Sequence, residues 1–402
     1  MPESRKTVCW ISSARYRKPL DATASRKWQL MTRLDRYEIH VIGFSTSLRP
    51  RVFKEQVWFY LLPQPQPSLL RYLTIFSLAP LLLIALVLRY QGAIIVAQSP
   101  YEGAIGAFAA GIASLLGRRP KLIIENHNNF EEDVFLQRAI PLPGLYRKLM
   151  LATARYAFRR ADALRVVSSS TAARARHYAP ELPQARFMAF SDTEVFRQME
   201  RRVPIEAAAD IVYAGALIPR KGLHHLLNAF DALDHPRAML HLVGGAENAA
   251  YAASLRRQAV ELGIDSRVRF AGAVSQRELA SRLSAARVLV LPSLSEGMGR
   301  VVVEAMLLDI PVIGSRVGGI PDMITDGVNG YLVEPGDEAE LTAALRRIYD
   351  DENDVKAMGE KAREFADGFF SPRKHIEDYR QLFELALASA RGDKTDGAAV
   401  GR

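Results

Sequence analysis

Short apolar runs separated by longer stretches with a helical repeat recur along the whole chain. In the first half, residues 8–11, 39–44, 93–97, 122–124 and 163–167 are continuous apolar runs of the kind buried on both faces of a parallel sheet. Between them, 25–34, 101–116 and 144–160 read as helices. The second half repeats the pattern, with strands predicted at 211–214, 240–243, 267–270, 288–291 and 312–314 and helices at 222–233 and 249–262. Such alternation predicts an α/β protein built from two doubly wound units in tandem. The units fall at residues 1–200 and 205–371, with the break in the polar, Pro-containing stretch 197–209. A closing amphipathic helix is predicted at 372–388, and the polar tail 390–402 reads as disordered.

One run breaks the rhythm. Residues 73–88 are uncharged and bracketed by Arg71 and Arg89. With Pro80 inside, the run is shorter than the roughly 20 residues a bilayer span needs. It reads first as a helix buried against the N-terminal sheet, with shallow contact at a membrane surface as the alternative.

Composition narrows the class. An apolar fraction of 49% and a charged fraction of 24% are those of a soluble globular protein. The single cysteine, Cys9, rules out an internal disulfide framework and fits a reducing compartment. No signal-peptide pattern opens the sequence, so a cytoplasmic location is expected, peripheral on the inner face of the membrane if the alternative reading of 73–88 holds. Residues 1–200 carry 28 Lys and Arg against 15 Asp and Glu, a net of +13, while the remainder is −4 within an overall +9. A basic first half points to an anionic partner such as phospholipid or a lipid-pyrophosphate; nucleic acid ranks last, since no recognised binding motif accompanies the charge.

The chemistry concentrates at Glu296 and Glu304. An apolar strand at 288–291 breaks into a Pro/Ser/Gly loop, and a helical pattern starts at about Arg300. In that setting backbone N–H groups at a helix N-terminus can hold a phosphate. A carboxylate beside a bound polyanion makes sense when it accepts hydrogen bonds from hydroxyls, as on a ribose or a hexose. The spacing therefore points to a nucleotide-sugar site. There is no G-x-G-x-x-G after a strand and no Walker loop, which argues against a dehydrogenase or an NTPase. No Asp-x-Asp triplet occurs either, so no metal or other cofactor is expected.

Four segments in order resemble glycosyltransferase family 4, the retaining, glycogen-synthase-like group. Residues 291–306 resemble its E-x7-E signature, and 212–222 its first C-terminal strand and phosphate-binding loop. Residues 269–274 are similar to its nucleoside-side strand, and 317–322 with 326–333 to its Gly-Gly-Ile-Pro and Asn-Gly hallmarks. The resemblance implies an α/β fold of GT-B architecture, two Rossmann-like domains facing a central cleft. It also implies transfer of a sugar from a UDP- or GDP-sugar donor to an acceptor hydroxyl with retention. Under it, Gly215, Arg220, Lys221, Val274, Gly297, Met298, Gly299, Arg300 and Glu304 bind the donor, Lys221 at the phosphates and Glu304 at the ribose. Glu296 holds the transferred sugar, and His127, just past the strand at 122–124, reaches the sugar or leaving phosphate from the first half. Ala216 stands where the family usually has an arginine, and Arg220 is the candidate to replace that cation. Arg15, Arg17 and Lys18 after the first strand suit an anionic acceptor, and the acids at 131–133 suit acceptor hydroxyls or the start of a solvated helix. A lipid-linked or glycan acceptor in envelope polysaccharide or glycolipid assembly follows from the basic first half. A nucleotide-sugar-modifying enzyme, epimerase-like, and a non-catalytic donor-binding subunit share the architecture and remain as alternatives.

Overall fold

The structure is a computed structural model describing residues 5–66, 68–90, 93–127, 143–205, 207–350, 352–369 and 371–389. The acidic run 131–133 and the tail from 390 lie outside the described residues.

The first half runs β1 (Lys6–Tyr16), α1 (Ala22–Met31), β2 (Tyr37–Ser45), β3 (Arg51–Lys54), β4 (Trp58–Leu62), α2 (Ser68–Arg89), β5 (Ile94–Ala97) and α3 (Pro100–Leu115). It continues through β6 (Lys121–Asn126), α4 (Pro143–Arg160), β7 (Ala163–Val166), α5 (Ser169–Tyr178) and β8 (Gln184–Arg186). The sheet order is β3-β4-β2-β1-β5-β6-β7-β8, parallel except for the β3–β4 edge hairpin. Each predicted apolar run became a strand because β5 and β7 are buried on both faces. α2 to α5 cover one face around Leu83, Ile105, Phe158 and Ala172, while α1 covers the other around Trp10 and Trp28.

Several boundaries differ from the sequence reading, each for a local reason. α1 starts three residues early because the Asp21 side chain accepts from the Ala24 N–H and caps it. β1 runs through the segment read as a loop: its register on β2 shifts between Ile11 and Arg15, and Tyr16 buries against Trp28 and Phe59. The hairpin was not foreseen; β4 joins the sheet by burying Phe59, Leu61 and Leu62. The apolar run at 73–88 lies within the 22-residue helix α2, which is buried along one side only.

After the short α6 (Glu194–Arg197), the second half runs β9 (Asp210–Ala214), α7 (Leu223–Leu233), β10 (Leu240–Val243), α8 (Ala249–Glu261), β11 (Val268–Gly272) and α9 (Gln276–Leu283). β12 (Ala286–Leu291), α10 (Val301–Met306), β13 (Val312–Ser315), β14 (Gly330–Val333), α11 (Glu338–Asp350) and α12 (Glu352–Phe369) complete it. Its six strands are all parallel in the order β11-β10-β9-β12-β13-β14. The order reverses between β9 and β12, the switch point at whose carboxyl side open α/β sheets bind ligands.

The last helix, α13 (Pro372–Ala388), returns to the first sheet and buries Ile376, Tyr379, Leu382 and Phe383 beside Trp10 and Phe187. The carboxyl edges of the two sheets face each other. Asp322, beyond β13, accepts from the Ser169 N–H at the start of α5 (2.7 Å), and Arg186 stands 3.6 Å from the same carboxylate.

Candidate active site

Loops at the carboxyl ends of β9 to β12 enclose a pocket of about 360 Å³. Gly215, Lys221, Val274, Glu296, Gly299, Arg300 and Glu304 line it, seven of the residues singled out in the sequence. Two glycines make this convergence possible. Gly222 has φ 65°, and a Cβ there would fall 2.2 Å from the Pro292 carbonyl oxygen, so only glycine lets the turn carrying Lys221 lie against the loop after β12. Gly318 has φ 59° and lies as tightly on the Glu296 carbonyl, fixing that loop from the other side.

Within the pocket Lys221, largely buried, is ion-paired to Glu296. Ser293 donates to the same carboxylate at 3.3 Å. The opposed charges are therefore satisfied by each other in this state, and an incoming diphosphate would take Lys221 from Glu296. Arg220 is placed differently: its Nη1 donates to the Ser295 carbonyl (3.1 Å) and its own carbonyl accepts from the Leu294 N–H (2.8 Å). It clamps the loop, and the second cation lining the pocket is Arg300. Gly297 supplies backbone in this loop, whereas Met298 lines a separate cavity between the domains with Phe187, Asp322 and His375.

Glu304 is buried on α10, where Ser191 of the inter-domain segment donates to Oε1 at 3.3 Å. Burial raises its carboxyl above the usual value, against the pull of Arg300 and Ser191. A carboxylate so placed gains from hydrogen-bonding hydroxyls, which restore the solvation that burial removed.

On the facing domain, His127 follows β6 and its Nε2 lies 3.1 Å from Glu125 Oε2. Glu125 is fully buried; it also accepts from Arg165 Nη1 (3.0 Å) and from the Tyr379 hydroxyl (2.7 Å). Burial opposes ionisation of Glu125, but the Arg165 guanidinium, then His127 and Lys27, hold it well below the usual carboxylate range. Burial lowers the His127 pKa more than Glu125 raises it, so the imidazole is neutral near pH 7. Its one N–H is then given to the ionised Glu125, which fixes the ring and leaves Nδ1 to accept a hydrogen bond from a substrate hydroxyl.

Arg15, Arg17 and Lys18 are exposed at the carboxyl end of β1, with the Lys18 ammonium 5.7 Å from the Phe53 ring centroid. The sequence reading missed Gly244 and Gly245, which line the pocket after β10, and the Glu125–Arg165–Tyr379 cluster. Both left a signal: paired glycines directly after an apolar run, and charges inside the buried runs at 121–126 and 163–166.

Two family descriptions match most of the chain, "Glycosyltransferase Family 4" over residues 28–186 and "Glycosyl transferases group 1" over 196–365. The chain belongs to glycosyltransferase family 4. The MMP alpha-(1->4)-mannosyltransferase of Mycolicibacterium hassiacum is 35% identical over 199 residues, 49% of this chain and 47% of that protein. This chain thus aligns with less than half the length of that relative. Among solved structures, sucrose-phosphate synthase from Thermosynechococcus elongatus superposes with a TM-score of 0.73 at 21% identity, covering 94% of this chain and 100% of that one. Anabaena HepE in complex with UDP superposes at 0.70 and 20% identity, covering 94% and 99%. At those identities the likeness is one of fold, and the family 4 fold here is GT-B.

Proposed function

We propose that this family 4 protein is a retaining glycosyltransferase that moves a sugar from a UDP- or GDP-sugar to an acceptor hydroxyl. The observation that carries the reading is one pocket in which Lys221, Arg300, Glu296 and Glu304 converge on the carboxyl edge of the second sheet. Lys221 and Arg300 suit a diphosphate, Glu304 the ribose and Glu296 the sugar hydroxyls. In HepE, a protein of the same fold, UDP is the bound molecule.

Charge develops on the departing diphosphate, so fixed cations aimed there supply the largest stabilisation. The bond from the anomeric carbon to the phosphate oxygen breaks, and the acceptor oxygen bonds to that carbon from the same face. The acceptor proton passes to the leaving phosphate oxygen. His127, accepting through Nδ1, supports a hydroxyl of the donor sugar from the facing domain, and this route requires no metal. A lipid-linked or glycan acceptor in envelope assembly is favoured by the basic first domain.

The test is incubation with a panel of sugar nucleotides, with and without lipid-linked acceptor, following nucleoside diphosphate release and donor isomerisation. Acceptor-dependent release supports transfer. Isomerisation without release favours an epimerase-like enzyme, and donor binding with neither favours a non-catalytic subunit.

A further inference from the structure

α2, α3 and α4 lie side by side on the sheet face opposite α1. α2 buries Ile75, Ala79, Leu83 and Val87 against that sheet, yet its outer side leaves Leu73 57% and Leu81 65% exposed. α3 adds Phe108 at 51% and Leu115 at 82%, and α4 adds Leu145 and Leu149 at 55% and 60%. Single exposed leucines need no explanation, but apolar side chains from three adjacent helices do. Between the helices Phe76, Pro80, Phe108, Ala152 and Tyr156 line a groove of about 400 Å³. Its Thr153 hydroxyl already donates to the Leu149 carbonyl at 2.8 Å, so the groove is apolar in effect.

Among the described residues, the exposed charge on these three helices has one sign. α2 and α4 contain no acid, and the single acid of α3, Glu102, is buried at the cleft end, bonded to Ser13 and Ser99. Arg71 and Arg89 sit near the ends of α2, Arg118 follows α3, and Arg147, Lys148, Arg155 and Arg159 stand on α4. None of these forms an ion pair among the described residues.

We infer that this three-helix face docks on the surface of an anionic phospholipid bilayer, with α2 at headgroup depth and the groove holding an acyl chain. α2 lies in the interface and does not cross: a third of its apolar stretch, which has mean hydropathy 2.1, is packed on the sheet, and spanning would strip that packing away. A second copy is a poorer occupant, because two faces of the same positive charge repel. Each of the three helices follows a strand whose carboxyl end points to the cleft. Docking therefore brings the cleft mouth beside the bilayer, within reach of a lipid-linked acceptor; that last clause alone rests on the proposed function.

The experiment is sedimentation of the full chain with vesicles of phosphatidylcholine alone or mixed with phosphatidylglycerol, at low and high salt. Binding is expected only to the anionic vesicles and is expected to weaken with salt. Each basic residue near such a surface strengthens binding about fivefold. Arg147→Gln with Lys148→Gln should thus cost up to roughly 30-fold. Leu73→Ser with Phe76→Ser should also release the protein from anionic vesicles while its thermal melt by circular dichroism and its calorimetric affinity for UDP stay unchanged. Equal or negligible binding to both vesicles, or variants that bind like the parent, would overturn the proposal. So would self-association lost in the apolar variant without vesicle binding, which would assign the face to a second copy. Should UDP fail to bind while vesicle binding persists, the donor reading falls and the docking face stands.

Discussion

The Tyr379 hydroxyl, on the last helix of the chain, donates a 2.7 Å hydrogen bond to Glu125, the carboxylate that holds His127. Residues 254 positions apart thus meet under the candidate active site. The returning helix α13 is therefore part of the support for the imidazole as well as a lid on the first domain's core.

Removing that hydroxyl should act on both stability and chemistry. A hydrogen bond to a charged group contributes about 1.5–3 kcal/mol, so Tyr379→Phe should lower unfolding free energy by that order. It should also depress kcat more than donor affinity. Glu125→Gln should cost more, about 3–5 kcal/mol, because it leaves the buried Arg165 without its counter-charge. Denaturant unfolding beside steady-state kinetics checks both; a Tyr379→Phe protein with parental stability and kcat would remove this support role.

Glu304→Ala should weaken nucleoside diphosphate binding by about 1.5–3 kcal/mol, roughly 10- to 150-fold, with the fold intact. Calorimetric titration reads this directly. Unchanged affinity would take Glu304 out of the site.

The Lys221–Glu296 pair predicts a different signature for Glu296→Gln. Without the carboxylate, Lys221 is free for the diphosphate, so affinity for the free nucleoside diphosphate should hold or rise. Turnover should nevertheless fall, roughly a hundredfold if Glu296 acts on the reacting sugar. Parallel loss of affinity and turnover would show that Glu296 serves the diphosphate instead.

His375, buried on α13 against Phe187 and Phe190, gives a pH signature. Burial, with Arg165, Lys27 and Lys374 nearby and Glu125 opposing, lowers its pKa to about 3. The unfolded chain takes up this proton near pH 6.5 while the folded chain resists until about pH 3. The stability contribution is thus complete above pH 6.5 and is lost progressively as the pH falls toward 3. Melting temperatures should drop across that window, and His375→Asn should flatten the drop. An identical pH profile in the variant would assign the acid sensitivity elsewhere.

Much of this was legible in the sequence because its signals are local. The strands at 8–11, 94–97 and 288–291 announce themselves as apolar runs, and Glu296, Glu304 and Lys221 sit in short segments whose spacing survives folding. What could not be read depends on contacts between distant segments. Arg220 looks like a phosphate ligand until the Ser295 carbonyl is found against it, and Met298 looks like a donor contact until Phe187, Asp322 and His375 are found beside it. The exposed side of α2 was hidden for the opposite reason: an apolar helix has no period to tell which side the sheet will cover.

Transfer with retention from the pocket shared by Glu296, Glu304 and Lys221 is the activity proposed for this protein. The most direct measurement is the anomeric configuration of the new glycosidic bond, read by proton NMR after reaction with the best sugar nucleotide and its acceptor. An α-linked donor should yield an α-linked product, with one nucleoside diphosphate released per bond formed. An inverted linkage, or a donor isomerised with no new bond, would contradict the account.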